Sequence, residues 1–189
     1  MSEKLKDNIS SFHDNGIYVP RRSVELFGEV DLSQFERIFK NLHSLDSANQ
    51  EINIIINSPG GCVVQGKAIY QAIKGCDSHV TGIVYGEAVS AASFIIQACD
   101  HRIMTPTSYM MIHYGSEQLF EDHPNNIDSA YKAMTRDRDW MEKIYLSRIR
   151  EKHPDCTLQK MRSMLKFDTY MSPKEALDIG LIDEIKESL

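Results

Sequence analysis

Apolar positions between residues 24 and 85 switch repeatedly between strand-like runs and helical spacing, and the switch points mark the elements. Residues 24–27 read as a strand ended by Gly28. Asp31-Leu32-Ser33-Gln34 then resembles a capping box opening a helix with Phe35, Ile38, Phe39 and Leu42 on one face. Residues 52–57 form the next strand, and its Ile54-Ile55-Ile56 run lacks alternation, as expected of a strand covered on both faces. Ser58-Pro59-Gly60-Gly61 breaks the chain. Val64, Ala68, Ile69, Ala72 and Ile73 give a second helical face, stopped near Gly75. Residues 80–85 make a third strand, and an apolar helix opens at Ser90. Strand, helix, strand, helix is the pattern of right-handed parallel crossovers, hence an α/β fold.

Two short strands follow, at residues 102–104 and 109–112, separated by Thr105-Pro106-Thr107-Ser108. Ile127, Ala130, Met134, Met141, Ile144, Tyr145 and Ile149 recur near helical period and predict a long helix over 127–150. A shorter helix starts near Thr157. Ser172-Pro173-Lys174-Glu175 is a strong helix start, with a capping serine, proline at the first helical position and glutamate three after the serine. Gly180 ends that helix, and residues 181–185 read as a last strand.

Composition narrows the function classes. The 189 residues are most simply one folded unit, with a polar tail at 1–21 and the domain at 22–189. Hydrophobic residues at 42% and charged residues at 25% are ordinary for a globular protein, and a net charge of −6 disfavours nucleic acid as partner. Residues 1–16 hold no long apolar run, so neither a secretory signal nor a membrane span is expected, and the cytoplasm is the expected location. Cys62, Cys76, Cys99 and Cys156 form no Cys-x-x-Cys pair and the seven histidines show no ligand spacing, so no metal site is expected.

Chemistry concentrates on three residues in the order Ser90, His113, Asp168. Ser90 lies in Gly86-Glu87-Ala88-Val89-Ser90-Ala91-Ala92-Ser93, where small residues end an apolar strand and open a helix, leaving the hydroxyl bare at a helix N-terminus. His113 closes Tyr109-Met110-Met111-Ile112, and Asp168 precedes the capped helix start. A serine nucleophile needs such a base, and the base needs an acid to fix its tautomer. Taken singly, each residue has a bland role: a helix cap, a structural histidine, a solvated carboxylate. Ser93, one turn on, is expected to be a dispensable hydroxyl.

At these residues the chain resembles the ClpP family, the proteolytic subunits of the Clp protease. The resemblance covers residues 22–185 and rests on Ile56-Asn57-Ser58-Pro59-Gly60-Gly61, Ala68-Ile69-Tyr70, Gly86-x-Ala88-x-Ser90, Met111-Ile112-His113, Asp168-x-Tyr170-Met171-Ser172, Glu175-Ala176 and Gly180-Leu181-Ile182-Asp183. It implies a single domain of the ClpP/crotonase type, a spiral of β-β-α units with a protruding handle helix. It also implies Ser90 as nucleophile, His113 as general base, Asp168 as orienting acid, and the backbone amides of Gly61 and Ala91 as oxyanion hole. Implied partners are further copies of the chain in two stacked seven-membered rings, an AAA+ Clp ATPase and unfolded polypeptide substrates. That chemistry needs no cofactor, since ATP is used by the partner ATPase. A charge at Met141 or Ile144 of the handle helix is expected to disrupt assembly.

Rival readings differ in their residues. An α/β-hydrolase would need Gly-x-Ser-x-Gly and the order Ser, Asp, His. A crotonase-type acyl-CoA enzyme shares the spiral but has no use for this triad, and a catalytically dead, modulating ring subunit would not need it intact. The chain also departs from the family pattern. Between Pro20 and Val24 there is no room for the usual N-terminal helix, and residues 114–122 hold one glycine where a glycine-rich, substrate-pairing strand is usual.

Overall fold

Three long parallel strands set the frame of the computed structural model, which describes residues 15–48, 50–115 and 124–187. They are β2 (Ser23–Val30), β3 (Glu51–Gly61) and β4 (His79–Val89), with β1 (Ile17–Tyr18) antiparallel to β2 on the outer side. Helix α1 (Leu32–Leu45) joins β2 to β3, and α2 (Val63–Lys74) joins β3 to β4. After β4 come α3 (Ala91–Ile95), β5 (His101–Met104), β6 (Tyr109–Ile112), the long α4 (Pro124–Lys152), α5 (Leu158–Leu165), β7 (Thr169–Met171), α6 (Pro173–Ile179) and β8 (Glu184–Ile185). The sheet runs β1-β2-β3-β4-β5-β8, with β6 and β7 off this path. This is the expected α/β architecture.

The core lies where the sheet meets the helices. Leu26, Ile38, Ile54, Ile56, Ile69, Val84 and Ile95 are all fully buried. Each such aliphatic side chain stabilises the fold by about 1.5–3 kcal/mol relative to an exposed one. Arg102 is also buried, at 2% exposure, and is matched on every side: its guanidinium donates to both Asp183 carboxylate oxygens, to Gln97 Oε1 and to the Gly180 carbonyl. Burial alone would raise the Asp183 carboxyl's pKa, but the bonds and charge of Arg102 outweigh it and hold it below the ordinary value. This knot ties β5 to the turn before β8.

One feature of β4 positions the site. Its first half pairs with β5, from Thr81 to Val84, and its last three residues pair with β6 instead: Glu87 with Tyr109, Ala88 with Met110, Val89 with Met111. Strand β6 in turn pairs antiparallel with β7, ending at Ile112 opposite Thr169. Continuing the two registers by one residue sets Ser90 beside Ile112 and His113 opposite Asp168. The topology therefore gathers at one sheet corner three residues that lie far apart in sequence.

Several local expectations are corrected. Gly28 does not end β2; the pairing shifts register between Phe27 and Glu29 and the strand continues to Val30. Ser58-Pro59-Gly60-Gly61 is not a break but the end of β3, paired through Val30 with Gly61. Within β3, burial alternates, with Ile52, Ile54 and Ile56 fully buried and Ile55 only half-covered. Asp31 accepts from Gln34 N–H at 2.7 Å, but the Gln34 side chain donates to the Phe27 carbonyl rather than returning to the cap. Phe39 and Val64 are exposed. At Ser172 the full reciprocal capping box forms, and Gly180 closes α6. The last strand is confined to Glu184–Ile185.

Helix α4 extends the predicted 127–150 at both ends. Its second half packs on the core through Met141, Tyr145 and Ile149, while Ile127 and Tyr131 are exposed. Met141, expected to serve contacts between copies, is thus buried in the core of its own chain. Within the stretch read as a polar tail, Ile17 is buried and Ile17–Tyr18 pairs with β2. Residues 1–14, and most of the 114–122 segment, fall outside the described residues.

Candidate active site

Ser90 terminates β4 in a backbone conformation that few side chains adopt, with φ 54° and ψ −119°. Such a conformation costs of order 1–3 kcal/mol and persists only where surrounding contacts hold it. Here they do. The Ser90 N–H donates to the Met111 carbonyl at 2.9 Å, and the Ser90 carbonyl accepts from Ser93 N–H at 3.0 Å and Ser93 Oγ at 2.6 Å. Ser90 occupies the N-cap position of α3, yet its side chain makes no cap bond. Its Oγ instead lies 2.8 Å from His113 Nε2.

His113 Nδ1 lies 2.8 Å from Asp168 Oδ1, completing a chain of three side chains. A carboxylate only accepts, so it selects the tautomer with hydrogen on Nδ1 and leaves the Nε2 lone pair for the serine hydroxyl. The ends differ in exposure: the His113 side chain is 22% exposed and that of Asp168 59%. Behind His113 the chain is anchored inward. Tyr114 N–H donates to the Leu165 carbonyl at 3.0 Å, and its phenol donates to Glu142 Oε1 at 2.6 Å. Arg162 binds the same buried carboxylate at 3.0–3.1 Å. Burial pushes the Glu142 pKa up, but the Arg162 and Tyr114 bonds outweigh it and leave it below the ordinary value.

Of the two glycines that end β3, Gly60 abuts the serine and Gly61 packs on β2. A Cβ on Gly60 would fall 2.5 Å from the Val89 carbonyl oxygen and 2.8 Å from both Ala91 N and Ser90 Cβ, and φ is +88°. Gly61, at φ +146°, would put a Cβ 2.6 Å from the Val30 carbonyl oxygen. Only glycine lets the end of β3 run this close to Ser90 and Ala91. The close approach to Ser90 and Ala91 is made by Gly60, a residue given no role of its own in the sequence reading. A glycine pair following proline was the available signal, but it reads equally as a turn.

Ser93, expected to be a dispensable hydroxyl, is fully buried and bonded both to the Ser90 carbonyl and, at 2.6 Å, to Tyr145 Oη. A cavity of about 320 Å³ opens beside the site, lined by Val63, Phe94, Tyr114, Trp140 and Met141 with Arg138 and Lys166 among its polar members. A larger one, about 440 Å³ between α1 and α2, contains none of the candidate residues. Burial raises the thiols of Cys76 to about 11 and Cys99 to about 12, so neither offers a thiolate nucleophile near neutrality. Among the described residues no three His, Cys, Asp or Glu side chains gather as a metal-binding group, and no helix is long and apolar enough to cross a membrane.

A hydroxyl, imidazole and carboxylate in one hydrogen-bonded line, beside a glycine strand end, is a geometry suited to acyl transfer. Comparison with known families agrees: the model described as Clp protease matches residues 10–188. The chain belongs to the Clp protease family. Curated relatives of this Clp-family chain carry the same description. The ATP-dependent Clp protease proteolytic subunit of Deinococcus radiodurans is 36% identical over 160 residues, covering 82% of this chain and 76% of that protein. Proteolytic subunit 1 of Bifidobacterium longum is 28% identical over 170 residues, covering 88% and 71%. The subunit of Chaetosphaeridium globosum is 29% identical over 140 residues, covering 73% and 67%. Membership in the Clp family makes the chain a peptidase, and its single mixed sheet with flanking helices fits that family's fold.

Proposed function

We propose that the chain hydrolyses peptide bonds with Ser90 as nucleophile, His113 as general base and Asp168 as the acid that orients it. The observation that carries this reading is the pair of 2.8 Å contacts, Ser90 Oγ to His113 Nε2 and His113 Nδ1 to Asp168 Oδ1. As Ser90 Oγ attacks the scissile carbonyl carbon, its proton passes to His113 Nε2, and Asp168 stabilises the imidazolium that forms. Collapse of the tetrahedral intermediate breaks the C–N bond, and His113 returns the proton to the leaving amine. Water, activated by the same imidazole, then releases the acyl group from Ser90.

The amides of Gly61 and Ala91 are the donors for the carbonyl oxygen in this scheme; each such donor contributes roughly 3–4 kcal/mol to the transition state. The 320 Å³ cavity beside Phe94 and Tyr114 receives a substrate side chain. Substrates are unfolded polypeptides, reached inside a ring-shaped compartment of further copies and supplied by an AAA+ Clp ATPase. The relatives' printed name, the proteolytic subunit of an ATP-dependent protease, supports that division of labour. ATP is then used by the partner, and this chain needs no cofactor for its own step.

The test is labelling with a fluorophosphonate and cleavage of a fluorogenic peptide by the wild type and Ser90→Ala. The wild type should be labelled on Ser90 and should cleave, while the variant should do neither and still melt at the wild-type temperature. Label found on another serine, or cleavage retained by Ser90→Ala, would sink the assignment.

A further inference from the structure

The Ser90 carbonyl is held from inside the molecule by two hydroxyls in series. Ser93 Oγ donates to it at 2.6 Å and lies 2.6 Å from Tyr145 Oη. A serine hydroxyl has one hydrogen, and that of Ser93 is directed at the carbonyl, so the hydrogen between the two hydroxyls comes from Tyr145. Both residues have no exposed surface. Burial also pushes the Tyr145 phenol above its ordinary value, so it is protonated and able to donate near neutral pH. Tyr145 shares the core face of α4 with Met141 and Ile149, each one turn away. A hydroxyl placed in such an apolar setting costs stability unless bonded, and its partner here leads directly to the candidate nucleophile.

What the carbonyl does follows from peptide geometry. Ser90 C=O and Ala91 N–H belong to one planar unit, and none of the described peptides is cis. In a trans unit the two groups point in opposite directions, so anything that fixes the carbonyl inward fixes the N–H outward. The unusual Ser90 backbone, at φ 54°, gives no local preference for that orientation; it has to be imposed by contacts.

We infer that Tyr145 and Ser93 are positioning residues that aim the Ala91 amide at the oxygen of the reacting carbonyl, acting through the Ser90 carbonyl. The inference rests on the proposed roles of Ser90 and the Ala91 amide. It places their effect on the transition state, where negative charge develops, and not on substrate binding. Ser93 N–H still holds the carbonyl when the hydroxyls are removed, so the loss is smaller than that of a whole oxyanion donor, about tenfold instead of 10²–10³.

The experiment compares wild type, Tyr145→Phe, Ser93→Ala, the double variant and Ser90→Ala as full chains. It measures kcat and KM on a fluorogenic peptide, the Ki of a peptide boronate that forms a tetrahedral adduct on serine, and the melting temperature. Each single variant should lower kcat about tenfold and weaken the boronate by a similar factor, with KM within twofold of wild type. The double variant should lose no more than Ser93→Ala, because Tyr145 acts only through Ser93. Tyr145→Phe removes one oxygen and keeps the ring, so it tests the idea even if Ser93→Ala folds poorly. A lower melting temperature with kcat and boronate Ki unchanged in Tyr145→Phe would reduce the relay to a structural bond. Losses that multiply in the double variant would equally overturn it. An active Ser90→Ala would instead remove the reading on which the inference stands, whereas an inactive Ser90→Ala beside an unimpaired Tyr145→Phe would refute the relay alone.

Discussion

Ser90 sits at the inner end of β4 with its backbone N–H and C=O both bonded to neighbouring residues, whereas Asp168 stands at the rim of the sheet with 59% of its side chain exposed. Between them His113 is held at its root, through the bonds of Tyr114 to Leu165 and Glu142, and its ring bridges Ser90 and Asp168. The first half is preorganised by close packing, where a displacement of less than an ångström has nowhere to go. The second half is fixed by hydrogen bonds that water can compete for. On the proposed mechanism, precision is therefore built in where charge would develop on the substrate oxygen, and tolerance is left where only the tautomer of an imidazole would have to be set.

The sharpest way to break this contrast is at Gly60. Gly60→Ala places a methyl 2.5 Å from the Val89 carbonyl oxygen and 2.8 Å from Ser90 Cβ and Ala91 N, contacts made by backbone or by Ser90 itself. Relief requires β3 and the Ser90 turn to separate. Cleavage should fall at least a hundredfold, on the scale of losing an oxyanion donor, and fluorophosphonate labelling should slow with it. Near-normal turnover of Gly60→Ala would show that the serine half is not rigid.

Asp168→Asn tests the other half. The amide favours the wrong imidazole tautomer, a change that costs about 10⁴ in kcat where the acid is buried. With Asp168 largely solvated, the loss should be nearer 10²-fold, and KM should hardly move. A loss as large as 10⁴ would mean that the acid is covered in the working assembly, which the exposed Phe167 and Tyr170 on either side of it make worth measuring in both assembled and dissociated protein.

The same contrast explains what was legible in the sequence. Caps and periods located α1, α4 and α6 because they depend on local chemistry: Asp31, the apolar spacing over 127–150, and Ser172 with Glu175. Ser90, His113 and Asp168 were legible as a set, and the register of β4, β6 and β7 brings them together. What stayed hidden was everything decided by long-range packing. Ser58-Pro59-Gly60-Gly61 looks like a turn until β2 and β4 are beside it. Val64 and Phe39 fit an apolar stripe yet face outward. Ser93 and Tyr145 lie 52 residues apart and show no local sign of their bond. The inward turn of Met141 depends on how α4 rolls against α3, which spacing alone does not determine.

The smallest expected effect concerns the root of the imidazole half. Glu142 is 3% exposed and accepts from Tyr114 and Arg162, so Glu142→Gln weakens charge-assisted bonds without emptying the space. A charge-assisted bond contributes roughly 1.5–3 kcal/mol, and Arg162, half exposed, regains water when released; a net loss of about 2 kcal/mol at pH 7 follows. The pH dependence has a definite sign. Because the folded-state pKa of Glu142 lies below its ordinary 4.5, its contribution is fully present above that value and is lost as pH falls through the lower folded one. Wild type should therefore lose stability on acidification below about pH 4.5 more steeply than Glu142→Gln, and the two denaturation curves should converge there. Turnover at neutral pH should drop less than tenfold, since Tyr114 N–H keeps its bond to Leu165. If the two proteins instead stay separated by the same stability at pH 3 and pH 7, the Glu142 carboxylate is not what anchors the segment that carries His113.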